Sequence, residues 1–197
     1  MFQVKVYRFI LSFVILVLGR FAVADLLPID GLLSDLHSVL QDPLSQKLCP
    51  LKTNELIEYY SYLAEEHNVI TKDGYNLTIF RCNSKSKSTY EKEVVVLHHG
   101  IVSSSDDYCV ADPSHALAYV LAGASYDVWL SNARGNFYSR RHITLNPDEK
   151  QFWNFTWYQT ALYDYPAIFD YVIQETNQSK VYSVGHSHGT YWRNDFS

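Results

Sequence analysis

Residues 181–190, VYSVGHSHGT, decide the fold class of this 197-residue chain. The first four residues are typical of a short β-strand that is buried on both faces. The next five have the pattern G-x-S-x-G, in which Gly185 and Gly189 leave room for a sharp turn from strand to helix. Such a turn presents its middle residue, Ser187, above the sheet. The stretch therefore predicts a serine nucleophile at the end of a buried strand.

Two other apolar runs have the same character, at residues 94–97 and 126–130. Apolar residues at helical spacing occur between the strands, at residues 116–121 and 168–173. Pro166 stands where it can begin the second of these helices. Because buried strands alternate with helices, the sequence predicts an α/β protein with a mostly parallel, doubly wound sheet.

The domain is expected to cover residues 53–197, after an N-terminal extension at residues 25–52. Residues 53–66 have helical spacing, with Thr53 as a candidate N-cap, and predict a short amphipathic helix. The pair Asp73-Gly74 divides the next two β-prone runs and predicts a hairpin. The composition agrees with a globular domain, since 47% of the residues are hydrophobic and 19% are charged.

The first 24 residues are different in kind. Lys5 and Arg8 precede an uncharged run at residues 9–19, and the small residues of Ala22-Val-Ala24 form a cleavage signal. We interpret this segment as a secretory signal peptide. The alternative, an uncleaved membrane anchor, is disfavoured because the apolar run is shorter than the roughly 20 residues that span a bilayer.

Export has consequences for partners and modification. Loss of the first 24 residues, which hold three basic and no acidic residues, changes the formal net charge from −5 to −8. So acidic a chain is a poor nucleic-acid binder, and no transmembrane segment is expected after cleavage. Three Asn-x-Ser/Thr sequons become candidate glycosylation sites, with chance occurrence as the alternative: Asn76, Asn154 and Asn177.

The chain has three cysteines, Cys49, Cys82 and Cys109. Because the number is odd, at least one thiol stays free or pairs outside the chain in an oxidising compartment. The sequence leaves the pairing open. The spacing fits no zinc motif.

A second catalytic element is predicted directly after the strand at residues 94–97, in the run LHHGIVSSS. A His-Gly turn at this place can supply one backbone N–H of an oxyanion hole, and His188, the residue after the nucleophile, supplies the other. His98 and His99 can also be interpreted as ordinary polar residues at a strand end. The presence of Ser187 favours the oxyanion interpretation.

Four stretches together resemble the acid lipases, the family of the gastric and lysosomal acid lipases and their insect relatives. They cover nearly all of residues 53–190, and the block NARGN-x-YSR at residues 132–140 is specific to that family. The stretches are TNELIEYYSYLAEEHNVITKDGYNLTIFR, VVLHHGIVSSSDDY, YDVWLSNARGNFYSRRHITLNPDEKQFWNF and YDYPAIFDYVIQETNQSKVYSVGHSHGT.

The resemblance implies an α/β-hydrolase fold and a secreted or lysosomal hydrolase of triacylglycerols or sterol esters. Such an enzyme acts at a lipid–water interface and needs no cofactor. Ser187 matches the family's nucleophile, and Ile101 and His188 match the residues whose N–H groups line the oxyanion hole. His188 stands where the family usually has glutamine, and Ser61 and Leu63 stand where it usually has glycine and proline.

The other triad members are not found in the sequence. The fold's chain order is Ser, then Asp or Glu, then His, but the residues after Ser187 hold Asp195 and no histidine apart from the adjacent His188. An elbow turns the side chains of His186 and His188 away from the serine. We therefore expect these 197 residues to be inactive by themselves, as a truncated N-terminal portion that lacks the cap and the C-terminal strands. We also expect the strand before the Ser187 turn to be left as an exposed apolar edge.

Other polar residues receive structural interpretations. Arg134 and Asn136 are expected to tie loops together, and Asp106 precedes the nucleophile, as does Asp107, so neither fits a triad acid. Asp164 and Asp170 are expected at a helix start and on a helix surface, respectively.

Two alternatives to a lipase polypeptide stay open. One is a secreted, non-catalytic lipid binder on a hydrolase scaffold, which predicts lipid binding that survives Ser187→Ala. The other is a fragment without function, which predicts poor secretion and rapid degradation.

Overall fold

The computed structural model describes residues 41–48, 50–85 and 92–193. The interpreted signal peptide, most of the extension and Cys49 lie outside these residues. The chain divides into two compact units, residues 1–51 and residues 52–197. The described part of the first unit contains helix α1, Pro43–Leu48. Within the described residues, no helix is both long and apolar enough to cross a membrane.

A mixed sheet forms the body of the second unit, with six strands in the described residues. Its strands follow the order β1-β2-β4-β3-β6, and β5 pairs with β2 beside this path. β3 runs parallel to β4 and β6, whereas β2 makes antiparallel pairs with β1, β4 and β5. The strands are β1 (Leu63–Ile70), β2 (Tyr75–Asn83), β3 (Val94–His98), β4 (Asp127–Leu130), β5 (Arg141–His142) and β6 (Tyr182–Gly185).

The centre of the sheet is formed by β3 and β4, and every residue of both strands is buried. The apolar runs predicted this burial, because a strand covered on both faces has no polar side to present. In the register between β3 and β6, His98 lies opposite Gly185. The carboxyl ends of these two parallel strands therefore lie side by side and bring the two predicted catalytic turns together.

The predicted hairpin is confirmed. Its turn closes through hydrogen bonds from the Thr71 N–H to the Tyr75 carbonyl (2.8 Å) and from the Gly74 N–H to the Thr71 carbonyl (2.9 Å). Gly74 has a φ of 95°, in the left-handed region that favours glycine. The Thr71 hydroxyl also donates to the Asp73 carboxylate, at 2.6 Å.

The predicted helix at residues 53–66 is too long. Helix α2 covers Thr53–Tyr59, and Lys52, not Thr53, occupies the N-cap position. Ser61 follows with a φ of 67°, and the chain then enters β1 at Leu63. All eight residues of β1 pair with β2. Backbone pairing along a whole strand outweighs the weak local preference of these residues for helix.

Helix α3 (Leu117–Gly123) lies between the central strands β3 and β4, and α4 (Trp157–Gln159) and α5 (Tyr165–Thr176) follow β4. A π-helical turn, Thr160–Asp164, joins α4 to α5, and Pro166 lies in the first turn of α5 as predicted. Ile168 and Val172 lie one turn apart on α5, and both pack into the core around Trp129. These contacts attach α5 to the face of the sheet that carries the Trp129 side chain.

The exposed apolar edge expected at residues 181–184 is confirmed in β6, whereas the burial on both faces that its apolar run indicates is not found. The side chains of Tyr182 and Val184 are 47% and 41% exposed. In the described sheet, β6 pairs with β3 on one side and forms the edge on the other. An apolar edge strand is a template for association with another strand. The strand therefore has the predicted position and sequence, but half of its surface is open.

Candidate active site

The turn after β6 holds Ser187 at a φ of 52°. This left-handed conformation costs a residue with a Cβ atom about 1 kcal/mol or more. The flanking glycines pack against backbone: a Cβ on Gly185 would lie 2.1 Å from the Gly189 carbonyl oxygen, and one on Gly189 would lie 2.3 Å from the His98 carbonyl oxygen. Ser187 itself is exposed. The sequence pattern thus folds as the strained turn that it predicted.

Two hydrogen bonds hold this turn. The His186 N–H donates to the His98 carbonyl at 3.0 Å, and the Gly189 N–H donates to the His186 carbonyl at 2.9 Å. The first bond ties the turn to the end of β3. The second begins the 3-10 helix Ser187–Arg193.

The turn after β3 packs directly on Ser187. A Cβ on Gly100 would lie 3.5 Å from the Ser187 Cβ and 3.0 Å from the His186 Nδ1. The next residues, Ile101 and Val102, are 70% and 53% exposed. The loop that carries the Ile101 N–H is therefore adjacent to the nucleophile turn.

His188 directly follows the nucleophile in the turn. Its carbonyl accepts a hydrogen bond from the Tyr165 hydroxyl at 3.4 Å. Its side chain is half-buried, and this burial lowers the pKa of the imidazole below its ordinary value. The residue thus links the turn to α5 through its backbone.

His98 and His99 are both buried. The His98 Nδ1 lies 2.8 Å from the Ser131 Oγ, and the ring packs edge-on against Tyr165 with centroids 4.7 Å apart. Burial, assisted by the neighbouring His99, lowers the pKa of His98 to about 3. Burial also lowers the pKa of His99. The uncharged form is favoured at both positions, so these residues act through hydrogen bonding and packing.

The acids near this region hold loops. Asp106 accepts hydrogen bonds from the hydroxyls of Thr53 (2.5 Å) and Tyr138 (2.7 Å), and Asp107 accepts one from the Ser103 hydroxyl. In the part of the chain that the structure describes, no imidazole is hydrogen-bonded to the Ser187 hydroxyl. A general base for this serine is therefore not supplied by the described residues.

A buried ion-pair network surrounds Arg134. Its guanidinium donates to the Asp73 carboxylate at 2.6 and 2.8 Å and, through Nε, to the Asp164 carboxylate at 2.8 Å. The guanidinium carbon lies 4.0 Å from the ring centroid of Tyr75. Arg134 thus ties the hairpin turn to the start of α5, which confirms its predicted structural role.

Asp164 immediately precedes α5, as predicted, but it is completely buried. Burial, opposed by Arg134, raises the pKa of Asp164 to about 6. Asp73 is less enclosed; burial there is outweighed by hydrogen bonds from Arg134 and Thr71, which hold its pKa below the usual value. Asp170 is exposed, in agreement with the prediction.

Asn132 is a residue of this region that the sequence analysis missed. It is buried directly after β4, and its side chain bonds to Ser105 and to the carbonyl of Thr78. The signal was present in the polar run SNARGN that follows a buried strand. A polar side chain at such a place is buried only when it is hydrogen-bonded.

The three sequons differ in exposure. Asn154 and Asn177 are exposed, and Asn177 has a left-handed φ of 53° just after α5. Asn76 lies inside β2, paired with both β1 and β5, and its Oδ1 is buried without a hydrogen-bond partner.

Cys82 and Cys109 are both buried free thiols. Burial raises the pKa of Cys82 to about 12 and that of Cys109 well above its ordinary value. Among the described residues, no group of three or more His, Cys, Asp or Glu side chains is arranged to hold a metal ion.

The order of the strands, with a Gly-x-Ser-x-Gly turn at the end of a parallel strand, defines the class of this protein by its fold. Residues 93–191 match the family model described as alpha/beta hydrolase fold, and residues 53–112 match the one described as partial alpha/beta-hydrolase lipase region. The chain belongs to the α/β-hydrolase fold family.

Its relatives are lipases, as the resemblance to the acid lipases implies. The chain is 45% identical to Lipase 1 of Drosophila melanogaster over 71% of this chain and 30% of that protein. It is 39% identical to Lipase member K of Mus musculus over 83% of this chain and 40% of that protein. Gastric triacylglycerol lipase of Mus musculus is 39% identical over 71% of this chain and 36% of that protein. The chain thus spans about 30 to 40% of the length of these relatives.

Proposed function

We propose that this chain carries the nucleophile and the oxyanion hole of a lipid ester hydrolase. Ser187 Oγ attacks the ester carbonyl, the ester bond breaks to release the alcohol, and water then hydrolyses the acyl-serine. The N–H groups of Ile101 and His188 stabilise the oxyanion of each tetrahedral intermediate. The observation that carries the proposal is the strained Ser187 turn, packed directly beneath the Gly100 turn.

The substrate class proposed is triacylglycerol or sterol ester presented at a lipid–water interface. It is supported by the relation to a gastric triacylglycerol lipase and by the exposed apolar side chains of Ile101 and Val102 beside Ser187. We also propose export to the extracellular space or the lysosome, with N-linked glycans. The interpreted signal peptide and the exposed sequons at Asn154 and Asn177 support this proposal.

Turnover by these 197 residues alone is proposed to be very slow. A serine hydroxyl needs a positioned base to become a nucleophile, and the described residues place none on Ser187. Sites that lack a triad member retain about 10³- to 10⁴-fold catalysis over water, from the oxyanion hole and binding.

Chemical rescue of the missing base tests the proposal. The chain is incubated with an alkyl phosphonate ester that labels activated serines, with and without added imidazole. We expect imidazole to accelerate labelling at Ser187, because it replaces the absent base. Ser187→Ala should abolish labelling, and Ser61→Ala, at an exposed serine far earlier in the chain, should not. A labelling rate that does not change when imidazole is added, or labelling that persists in Ser187→Ala, overturns the proposed nucleophile.

A non-catalytic lipid binder is the second candidate, favoured by the exposed apolar pair Ile101 and Val102. Binding of the chain to triacylglycerol emulsions distinguishes the two. Emulsion binding that survives Ser187→Ala, together with no labelling in imidazole, supports the binder.

A further inference from the structure

The loop at residues 100–104, here called the oxyanion loop, is anchored at both ends by two asparagines. These are Asn132 and Asn136, in the segment that follows β4. The Asn136 Nδ2 donates to the Asn132 Oδ1 at 2.7 Å and lies 3.2 Å from the His99 Nε2. The Asn136 Oδ1 accepts from the backbone N–H groups of residues 138 and 139, at 2.9 and 3.0 Å. The Asn136 amide is therefore held on both sides.

At the entry to the loop, His99 has a defined tautomer. Its Nε2 accepts from the Ala133 N–H at 3.1 Å and from the Asn136 Nδ2. A nitrogen that faces two donors cannot carry a proton, so the proton of the neutral ring is on Nδ1. The Nδ1 lies 2.7 Å from the Gly100 carbonyl oxygen and donates to it.

At the exit from the loop, the side chain of Asn132 holds Ser105 in place. Its Oδ1 accepts from the Ser105 N–H at 3.0 Å, and its Nδ2 donates to the Ser105 Oγ at 3.0 Å. Ser105 is buried, whereas Ile101 and Val102 between the two anchors are exposed. The oxyanion loop is thus fixed at its ends and open along its middle.

The bond from His99 to Gly100 orients a catalytic group. The peptide between Gly100 and Ile101 is planar and trans, so its C=O and N–H point in opposite directions. Because His99 holds the carbonyl oxygen on its own side, the Ile101 N–H must point away from His99. Gly100 itself packs on Ser187, at the 3.5 Å Cβ separation given above. A flip of this peptide would turn the N–H away from its present direction.

We propose that His99 and Asn136 are positioning residues, which fix the Gly100–Ile101 peptide and thereby the Ile101 N–H of the oxyanion hole. Neither residue touches the reacting atoms; Asn136 acts on His99, and His99 acts on the peptide. The inference rests on the proposed function for its catalytic meaning. The anchoring itself is a property of the fold and can be tested without any reaction.

The first test measures the His99 ring in the unaltered chain. Nitrogen-15 NMR distinguishes a protonated Nδ1 from a protonated Nε2 through the chemical shifts of the two ring nitrogens. We expect Nδ1 to be protonated and Nε2 to be unprotonated at neutral pH. A proton on Nε2 overturns the proposal, because the contacts to Ala133 and Asn136 would then be repulsive. This arm needs no variant, so a folding failure cannot obscure it.

The second test replaces Asn136 by a carboxylate of the same shape. In Asn136→Asp, an acceptor faces Nε2 and favours a protonated imidazole. The midpoint of the His99 ring titration, followed by nitrogen-15 NMR, should therefore rise by about one pH unit or more. The control is Asn146→Asp, at an exposed asparagine whose Oδ1 accepts a single bond from the Asp148 N–H. It should leave the His99 midpoint unchanged. An unchanged midpoint in a folded Asn136→Asp overturns the role of Asn136.

The third test connects the anchors to reactivity. In the imidazole-assisted phosphonate labelling described above, Asn136→Asp and His99→Phe should slow the labelling of Ser187 by about 10- to 100-fold, part of the effect of losing an oxyanion donor. Reversible binding of the phosphonate before reaction should be unchanged. Full-rate labelling in both variants overturns the positioning role. If the unaltered chain is not labelled at all, the proposed function fails, while the two NMR tests still decide the anchoring.

Discussion

At the scale of single residues, Gly185 and Gly189 are the positions where the active-site turn cannot accept a side chain. Each lies where a Cβ would overlap a backbone oxygen, which no side-chain rearrangement can relieve. The strain at Ser187 is maintained because its neighbours leave the chain no other path.

Gly185→Ala should lower the free energy of unfolding by at least about 3 kcal/mol, since the added Cβ would lie 2.1 Å from the Gly189 oxygen. Urea denaturation measures this change. The matched control is Gly123→Ala at the end of α3, where the nearest atom is the Tyr62 hydroxyl oxygen at 3.9 Å. The control should be neutral or stabilising by up to about 1 kcal/mol. Equal effects of both substitutions would contradict the close packing of the turn.

His98 makes stability depend on pH. Its folded-state pKa, about 3, is depressed below the unfolded value, so the unfolded chain binds the proton first as the pH falls. The stability that neutral His98 contributes is complete above pH ~6.5 and is lost as the pH falls toward 3. The pH dependence from Asp164 has the opposite sign. Because its pKa is raised in the folded chain, the stability that its protonated form contributes is lost as the pH rises through about 6.

His98→Phe should remove one of these proton-linked terms. The phenyl ring keeps the contacts with Tyr165 and Phe169 and has no nitrogen to protonate. We expect the loss of unfolding free energy between pH 7 and pH 5 to be smaller in the variant by about 2 kcal/mol, at 1.36 kcal/mol per unit. Urea denaturation at the two pH values measures it. An unchanged loss would show that His98 is protonated in the folded chain.

Single-residue roles were predictable where the local pattern alone imposes them. The strained turn at Ser187 follows from the glycine spacing, and the loop-tying role of Arg134 follows from its fork of donors. The burial of Asp164 was not predictable, because its partner Arg134 is 30 residues away in sequence. Desolvation at a position depends on which distant segments fold over it.

At the scale of elements, neighbouring strands decide where α2 ends and whether β6 is a central or an edge strand. Helix α2 stops at Tyr59 because the chain after Ser61 pairs with β2, although the apolar spacing continues to residue 63. Strand β6 has the apolar sequence of a central strand but is an edge in the described sheet. Neither outcome is a property of the segment itself.

The end of α2 gives a stability prediction. Ser61 follows the end of α2 with a φ of 67°, in the left-handed region that favours glycine. Ser61→Gly should raise the free energy of unfolding by about 1 kcal/mol, because glycine reaches this conformation without steric cost. Chemical denaturation measures the gain.

Ser61→Ala is the matched control and should give no gain, since alanine has the same Cβ conflict. A stabilisation in the alanine variant equal to that in the glycine variant would show that the serine hydroxyl, rather than the backbone conformation, is unfavourable.

At the scale of the whole molecule, the three sequon asparagines differ in their exposure to solvent. We expect the folded, exported chain to carry glycans on Asn154 and Asn177, which are exposed, and none on Asn76, which lies within the sheet. Glycosidase-sensitive mobility of the secreted chain measures occupancy. Asn154→Gln and Asn177→Gln should each remove one glycan. A mobility change in Asn76→Gln would contradict the accessibility argument.

The sequence by itself determined the class of the fold, the hairpin at Asp73-Gly74, the buried strands β3 and β4, and the turn at Ser187. All of these depend on neighbours along the chain: apolar runs that exclude water, and glycines that permit a bend. Only the tertiary structure decided that Asp164 is buried on Arg134, and that Asn132 and Asn136 anchor the loop beside Ser187. These depend on contacts between segments distant in sequence, because hydrogen-bond partners and burial are set by the three-dimensional packing.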